Sequence, residues 1–326
     1  MNTKKVLVTG AGGFIGSHLA EALCESGASV RALVRYNSRN HWGWLEQSEL
    51  KDSIEIVSGD VRDFDSVQKA LRGCDTVFHL AALIGIPYSY VSPLAYVRTN
   101  IEGTYNILEA SGQLGLSSIL ITSTSETYGT AQKVPIDENH PLVGQSPYAA
   151  SKIAADQLAI SYHRSFGLPV KIVRPFNTYG PRQSLRAIIP TIVAQVLAGK
   201  SMVAVGNVNP TRDLTYVRDT TAAFLAIAQA KDLIGEVTHI GMNQEISIRE
   251  LIDLIAGVMD RPISYVSEEQ RRRPDTSEVQ RLRCDNSKII QHTSWRPRYS
   301  LRQGVEATVT WIEKNMPSLK ARLYNI

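Results

Sequence analysis

The sequence predicts an α/β protein: a doubly wound parallel sheet followed by a smaller C-terminal α/β lobe. Three observations carry the prediction. Within residues 1–125, short apolar runs of strand length alternate with stretches of helical spacing. The first strand-to-helix junction is rich in glycine. Beyond residue 174, prolines, glycines and arginines punctuate shorter elements. Composition agrees, with 326 residues, 43% hydrophobic and 20% charged, which excludes a disordered, collagen-like or coiled-coil chain.

The elements follow in order. Strands are expected at 6–9, 30–34, 54–57, 76–80 and 118–122, with helices at 14–26 and 67–71 between them. Such alternation implies βαβ units and a parallel sheet. A sixth strand is expected at 170–173, and two long helices at 93–114 and 148–165, each continuous. One later strand, 236–240, is expected to return to the main sheet. The chain thus divides into 1–174 and an interleaved lobe, 175–326.

Net charge is +4, from 35 basic and 31 acidic side chains. This balance gives no ground for a nucleic-acid or membrane partner. There is no run of about 18 apolar residues. The N-terminal Met-Asn-Thr-Lys-Lys enters the first strand without a leader pattern, so a cytoplasmic location is expected. Cys24, Cys74 and Cys284 are few and odd in number, which argues against a disulfide framework. The seven histidines lack metal-ligand spacing, and no metal is expected. His79, inside a strand, reads as a core residue.

After the first strand, Gly10, Gly13 and Gly16 form G-x-x-G-x-x-G and a helical pattern follows. Glycines here permit a tight turn, close approach of backbone to a pyrophosphate, and close packing of helix on strand. Phe14 and Ile15 open the helix, whose free N–H groups suit phosphate. A strand–turn–helix of this kind marks a Rossmann-type dinucleotide fold. NAD-binding chains carry an acid at the end of the second strand. Here Arg35, Ser38 and Arg39 stand there instead. A guanidinium and a hydroxyl suit a 2′-phosphate, so NADP is favoured and NAD is the alternative. Asp60, after the third strand, is expected either to meet the adenine or to serve as a turn or capping residue, and Val61 beside it is expected at the cofactor.

Tyr148 and Lys152 form Y-x-x-x-K at the start of an expected helix. At i and i+4 they share one face. A neighbouring ammonium, together with the positive nicotinamide ring, is expected to lower the phenol pKa and make it a usable base. The fifth strand ends in Thr122-Ser123-Thr124-Ser125-Glu126, small hydroxyl residues at the edge where such sheets bind ligands.

The segments VTGAGGFIGSHL, GDVRD, HLAA, TSTSETYG, SPYAASK, RPFNTYGPRQ and RDLTYVRD occur in this order along nearly the whole chain. In them the chain resembles the extended short-chain dehydrogenases/reductases of the nucleotide-sugar epimerase/dehydratase family. The resemblance implies that Leu80, Ala81 and Ala82 line the cofactor with the glycine loop, Tyr148 and Lys152. It implies a recycled, tightly bound cofactor. Thr124-Ser125-Glu126 resembles the dehydratase pattern: Thr124 on the sugar 4-hydroxyl, Glu126 removing the C5 proton, Ser125 helping a proton reach the departing 6-hydroxyl. GDP-mannose 4,6-dehydratases are similar here and in Leu33-Val34-Arg35.

Residues 35–39, 42–45 and 180–184 resemble the 4,6-dehydratases of legionaminic-acid-type pathways, which implies UDP- or GDP-N-acetylglucosamine as substrate. UDP-glucuronate decarboxylases share Thr-Ser-Glu, and 4-epimerases share everything but the need for the glutamate, so both remain alternatives. The resemblance further assigns Asn177, Arg212 and Arg273 to the nucleotide sugar, Asn100 to a supporting role, and a homodimer to helices 93–114 and 148–165.

Overall fold

The computed structural model describes residues 4–271 and 274–315. Its centre is a seven-stranded sheet in the order β11-β6-β5-β4-β1-β2-β3, with every pairing parallel. The strands are β1 (Lys5–Thr9), β2 (Ser29–Arg35), β3 (Ile54–Gly59), β4 (Thr76–His79), β5 (Ser118–Thr122), β6 (Val170–Pro175) and β11 (Val237–Ile240). The smaller strands β7 (Asn177–Tyr179), β8 (Met202–Val205), β9 (Thr211–Arg212), β10 (Leu214–Tyr216), β12 (Ile246–Ser247) and β13 (Ser264–Ser267) form three two-stranded pairs. Central strands read as unbroken apolar runs because helices cover both faces. In β1, Val6, Leu7 and Val8 are wholly buried.

One face of the sheet carries α1 (Phe14–Glu25) and α8 (Val217–Gln229), meeting through Leu19, Leu23, Phe224 and Ile227. The other carries α2 (Phe64–Leu71), α5 (Gly103–Leu114) and α6 (Pro147–Phe166), meeting through Val67, Leu71, Ile107 and Ala159. Each fully buried Leu, Ile or Phe contributes about 1.5–3 kcal/mol. A separate core unites α7 (Ile188–Leu197), α9 (Ile248–Met259) and α11 (Leu301–Asn315) around Ile192, Val193, Leu251, Ile255 and Val305.

Local chemistry sets the helix ends. Ser146 caps α6 by accepting from the Ala149 N–H at 3.1 Å, with Pro147 in its first turn and Gly167 ending it at φ 70°. Ser247 and Glu250 form a capping box on α9.

The helix expected over 93–114 is present without interruption, but its winding is not uniform. It is α4 (Pro93–Tyr96), a π-helical turn over Val97–Glu102, and then α5, preceded by a short α3 (Ile86–Val91). Asn100 is buried in the wide turn. Its amide accepts from Leu83 N at 2.8 Å and donates to Leu83 O at 3.0 Å and Ser151 Oγ at 2.9 Å. Single π-turns of this kind occur inside α-helices, frequently at functional sites. Among the described residues no helix is long and apolar enough to cross a membrane, and the three cysteines are unbridged.

Candidate active site

A parallel sheet brings the carboxyl ends of β1, β4, β5 and β6 to one edge. The chain order reverses between β1 and β4, and ligands of such sheets bind at that crevice. The glycine loop lies there. Gly10 has φ 68°, and a Cβ on it would lie 2.8 Å from Ala81 N. A Cβ on Gly16 would lie 2.2 Å from Gly10 O. Gly13, exposed, caps α1 without any side-chain hydrogen bond. The first-turn N–H groups therefore have no side-chain acceptor, and the loop fits a pyrophosphate. Leu80 and Ala81 stand beside it, their N–H groups donating to Thr9 Oγ1 at 3.1 and 3.0 Å.

One partner of this loop escaped sequence reasoning. Trp44 N donates to Gly12 O at 3.0 Å, and a Cβ on Gly12 would lie 2.6 Å from Trp42 O. Residues 42–44 thus pack directly on the loop. The signal available was two tryptophans flanking Gly43, itself at φ 69°.

Arg35 ends β2, and Arg35, Ser38 and Arg39 are all exposed. Asn37 folds the segment between them, accepting from Arg39 N at 3.2 Å and His41 N at 3.1 Å and donating to His41 O at 2.7 Å. Asp60 follows β3, where Arg62 Nε donates to both its carboxylate oxygens at 3.0 and 3.1 Å. That pairing holds the Asp60 carboxyl below its usual range. Val61 is buried, and its carbonyl accepts from Asn106 Nδ2 at 2.9 Å.

Tyr148 and Lys152 lie one turn apart in α6, 7% and 4% exposed. The Tyr148 phenol is hydrogen-bonded to the Thr124 side chain and feels the Glu126 carboxylate. Its ring meets Tyr96 edge-on, centroids 6.2 Å apart. Thr124 caps the 3₁₀ turn Ser125–Tyr128, its Oγ1 accepting from Glu126 N at 3.3 Å. Thr124 thus joins this turn to Tyr148, with Ser125 buried and Glu126 half-buried in the turn.

Burial pushes the Tyr148 phenol above its ordinary range; the Thr124 hydrogen bond acts the other way, and the Glu126 carboxylate adds to the rise. Lys152 does not offset this. Its ammonium donates to the Thr122 carbonyl at 2.6 Å, and burial lowers its own pKa. In the chain alone desolvation outweighs the nearby cation. His79 is buried at the end of β4, with Nδ1 2.8 Å from Thr9 Oγ1.

The substrate-lobe residues divide. Asn177 lies in β7, just beyond β6, and its Oδ1 is buried without a partner. An orphaned acceptor at this edge marks a place for a ligand donor. Arg212 is less free than expected. It donates to the Thr211 and Val279 carbonyls at 2.8 Å each and pairs with Glu278 at 3.1 Å. Arg273 lies outside the described residues. Sequence reasoning also missed Arg182, at φ 69° in the loop after β7. It donates to Ser17 Oγ at 3.1 Å and to both Glu21 oxygens at 2.9 and 2.8 Å, strapping that loop to α1.

This site has relatives. The family profile described as GDP-mannose 4,6 dehydratase matches residues 7–308. A putative UDP-glucose 4-epimerase of Methanocaldococcus jannaschii is 31% identical over 95% of this chain and 99% of its own. A dTDP-glucose 4,6-dehydratase of Actinoplanes sp. is 32% identical over 95% of this chain and 98% of its own. The solved dTDP-glucose 4,6-dehydratase DesIV of Streptomyces venezuelae, with NAD and TYD bound, superposes at TM-score 0.88. It is 29% identical and covers 97% of this chain and 99% of its own. Sequence and fold agree over almost the whole length, and the chain belongs to the nucleotide-sugar dehydratase/epimerase family of extended short-chain dehydrogenases/reductases.

Proposed function

We propose that this protein is a 4,6-dehydratase of a nucleoside-diphosphate hexose, acting on UDP- or GDP-N-acetylglucosamine. The observation that carries this reading is Glu126 in the turn capped by Thr124, whose side chain is hydrogen-bonded to the Tyr148 phenol. Oxidation at C4 needs only a base at the 4-hydroxyl; a second base is needed only if C5 is deprotonated.

A bound nicotinamide dinucleotide supplies the chemistry of removing hydride at C4 and returning it at C6. The chain's own residues move the protons. Thr124 orients the 4-hydroxyl and Tyr148 accepts its proton, leaving a 4-ketone. The ketone acidifies C5, whose proton passes to Glu126. The C5–C6 double bond forms as the C6–O bond breaks, and Ser125 helps pass a proton to the leaving hydroxyl, which departs as water. C5 regains a proton as C6 becomes a methyl group. Asn177 Oδ1 offers an acceptor to the sugar nucleotide, and Arg212 and Arg273 offer charge to its diphosphate.

Incubation with UDP- and GDP-N-acetylglucosamine is expected to give a product lighter by one water. Unchanged mass with an inverted C4 would overturn this reading in favour of a 4-epimerase, the activity named for the Methanocaldococcus relative. Release of carbon dioxide from a 6-carboxylate substrate would instead identify a decarboxylase.

The cofactor reading is NADP, with NAD as the alternative. It is supported by Arg35 at the end of β2, where no acid stands to meet a ribose 2′-hydroxyl. Arg35→Ala is expected to weaken NADP binding about tenfold and leave NAD binding within about twofold, as for one charge-assisted contact. Calorimetric titration with each dinucleotide checks this; equal losses would contradict it.

Residues 1–174 are assigned to the dinucleotide and 175–326 to the nucleotide sugar, with the separate core of α7, α9 and α11 as support. A homodimer is proposed through α4–α5 and α6, supported by exposed Leu94, Val97, Tyr105 and Phe166. Light scattering should give twice the 36.0 kDa chain mass; a monomer would refute it. A cytoplasmic location completes the reading.

A further inference from the structure

Behind the reacting groups runs a buried polar chain that the proposed steps do not use. It begins at Asp156, one turn of α6 beyond Lys152 and fully buried. Its Oδ2 accepts from Ser123 Oγ at 2.5 Å and from Arg174 Nη2 at 2.6 Å. Arg174, in β6, is 2% exposed. Its Nε donates to Ser123 Oγ at 3.2 Å and its Nη1 to the Tyr128 phenol oxygen at 2.5 Å. The guanidinium carbon also lies 4.8 Å from the centre of the Tyr128 ring.

Arg174 can only donate, so the Tyr128 oxygen is an acceptor on that side. Its own O–H then donates to His239 Nε2, 2.5 Å away in β11. This places the His239 proton on Nδ1, facing the Asp285 carbonyl at 3.3 Å. The His239 N–H donates to Glu138 Oε1 at 3.1 Å.

Two members of this chain matter. Asp156 sits on the helix that carries Tyr148 and Lys152. Tyr128 is the last residue of the four-residue turn that carries Ser125 and Glu126. The turn is held on both sides of Tyr128 as well: Gly129 after it has φ 62°, and Thr127 O before it accepts from Val143 N at 2.8 Å. A displacement of Tyr128 therefore reaches Glu126, two residues away, with little slack.

We propose that Tyr128 is a positioning residue for Glu126. Its phenol, anchored between Arg174 and His239, holds the Ser125–Glu126 turn at a set distance from α6. Glu126 then faces C5 when Tyr148 faces the 4-oxygen. The proposal rests on Glu126 being the C5 base, as argued above. Asp156 and Arg174 are poor probes, because removing either leaves a buried charge without its partner. Tyr128→Phe keeps the ring and removes only the phenol contacts.

The test follows two steps separately in the full-length protein with bound dinucleotide. Dehydrated product is weighed, the 4-keto sugar still bearing its 6-hydroxyl is trapped with borodeuteride, and the melting temperature is recorded. Tyr128→Phe is expected to slow elimination about 10- to 100-fold, the cost of misplacing a reacting group by a fraction of an ångström to 1 Å. C4 oxidation and KM are expected to stay within about threefold, so the trapped 4-keto sugar accumulates. His239→Leu, which removes the phenol's acceptor, should give the same split.

Unchanged elimination in both variants overturns the proposal. So does an equal fall in oxidation and elimination together with a lowered melting temperature, which marks a structural role. Glu126→Gln in the same series separates this from the reading beneath it. If that variant still dehydrates at full rate, the base assignment itself fails and the positioning role with it. If it does not dehydrate while Tyr128→Phe does, only the positioning role fails.

Discussion

Replacement of Tyr148 by phenylalanine is expected to lower turnover by about 10³- to 10⁴-fold, the upper range for removing a positioned acid–base group. At 1.36 kcal/mol per tenfold this is about 4–5.5 kcal/mol of barrier. Both C4 oxidation and water loss should fall together, because the 4-ketone must form before C5 becomes acidic. KM should move little, since the ring and its contact with Tyr96 remain. The phenol starts from a high pKa because it is buried. It therefore keeps its proton in the chain alone at neutral pH. The Thr124 hydrogen bond acts against that cost. Steady-state kinetics with trapping of the 4-keto sugar decides the matter. Retained oxidation in Tyr148→Phe would place the base elsewhere.

Glu126→Gln is expected to separate the two steps. Dehydration should fall about 10²- to 10⁴-fold, while C4 oxidation stays within about threefold. Glutamine keeps the size and a carbonyl acceptor but cannot take a proton from carbon. The carboxylate also raises the Tyr148 pKa; removing its charge should, if anything, ease deprotonation of the phenol. Quantifying trapped 4-keto sugar against dehydrated product in one time course reads both steps. Full dehydration by this variant would remove the basis for calling the protein a dehydratase.

Much of the fold was legible because it repeats locally. Apolar runs four or five residues long between helical stretches imply a parallel sheet, and each of the seven expected strands lies in it, the one expected at 236–240 as β11 at its far edge, with only Leu80 and Glu236 falling outside the strands. The glycine loop was legible because a turn that leaves no room for a Cβ admits few residues, as Gly10 and Gly16 illustrate. Tyr148 and Lys152 were legible because one helical turn joins them.

The π-helical turn at 97–102 was not legible. Nothing in the local pattern reveals that Asn100 would meet Leu83 and Ser151. The high phenol pKa was also out of reach, since spacing records a neighbouring charge but not the loss of water around it.

The sequence by itself determined the class of this protein: a parallel dinucleotide sheet, a phosphate loop, a tyrosine–lysine pair and a carboxylate after the fifth strand. These rest on contacts within a few residues of one another. Tertiary structure alone decided what surrounds them. It set Trp42 and Trp44 on the glycine loop, Arg182 on Glu21, and the chain from Asp156 through Arg174 and Tyr128 to His239. Those partners lie far apart along the chain, Arg182 and Glu21 by 161 positions and Tyr128 and His239 by 111. Their meeting depends on how helices and strands pack, and on each buried polar group needing a partner once water is gone.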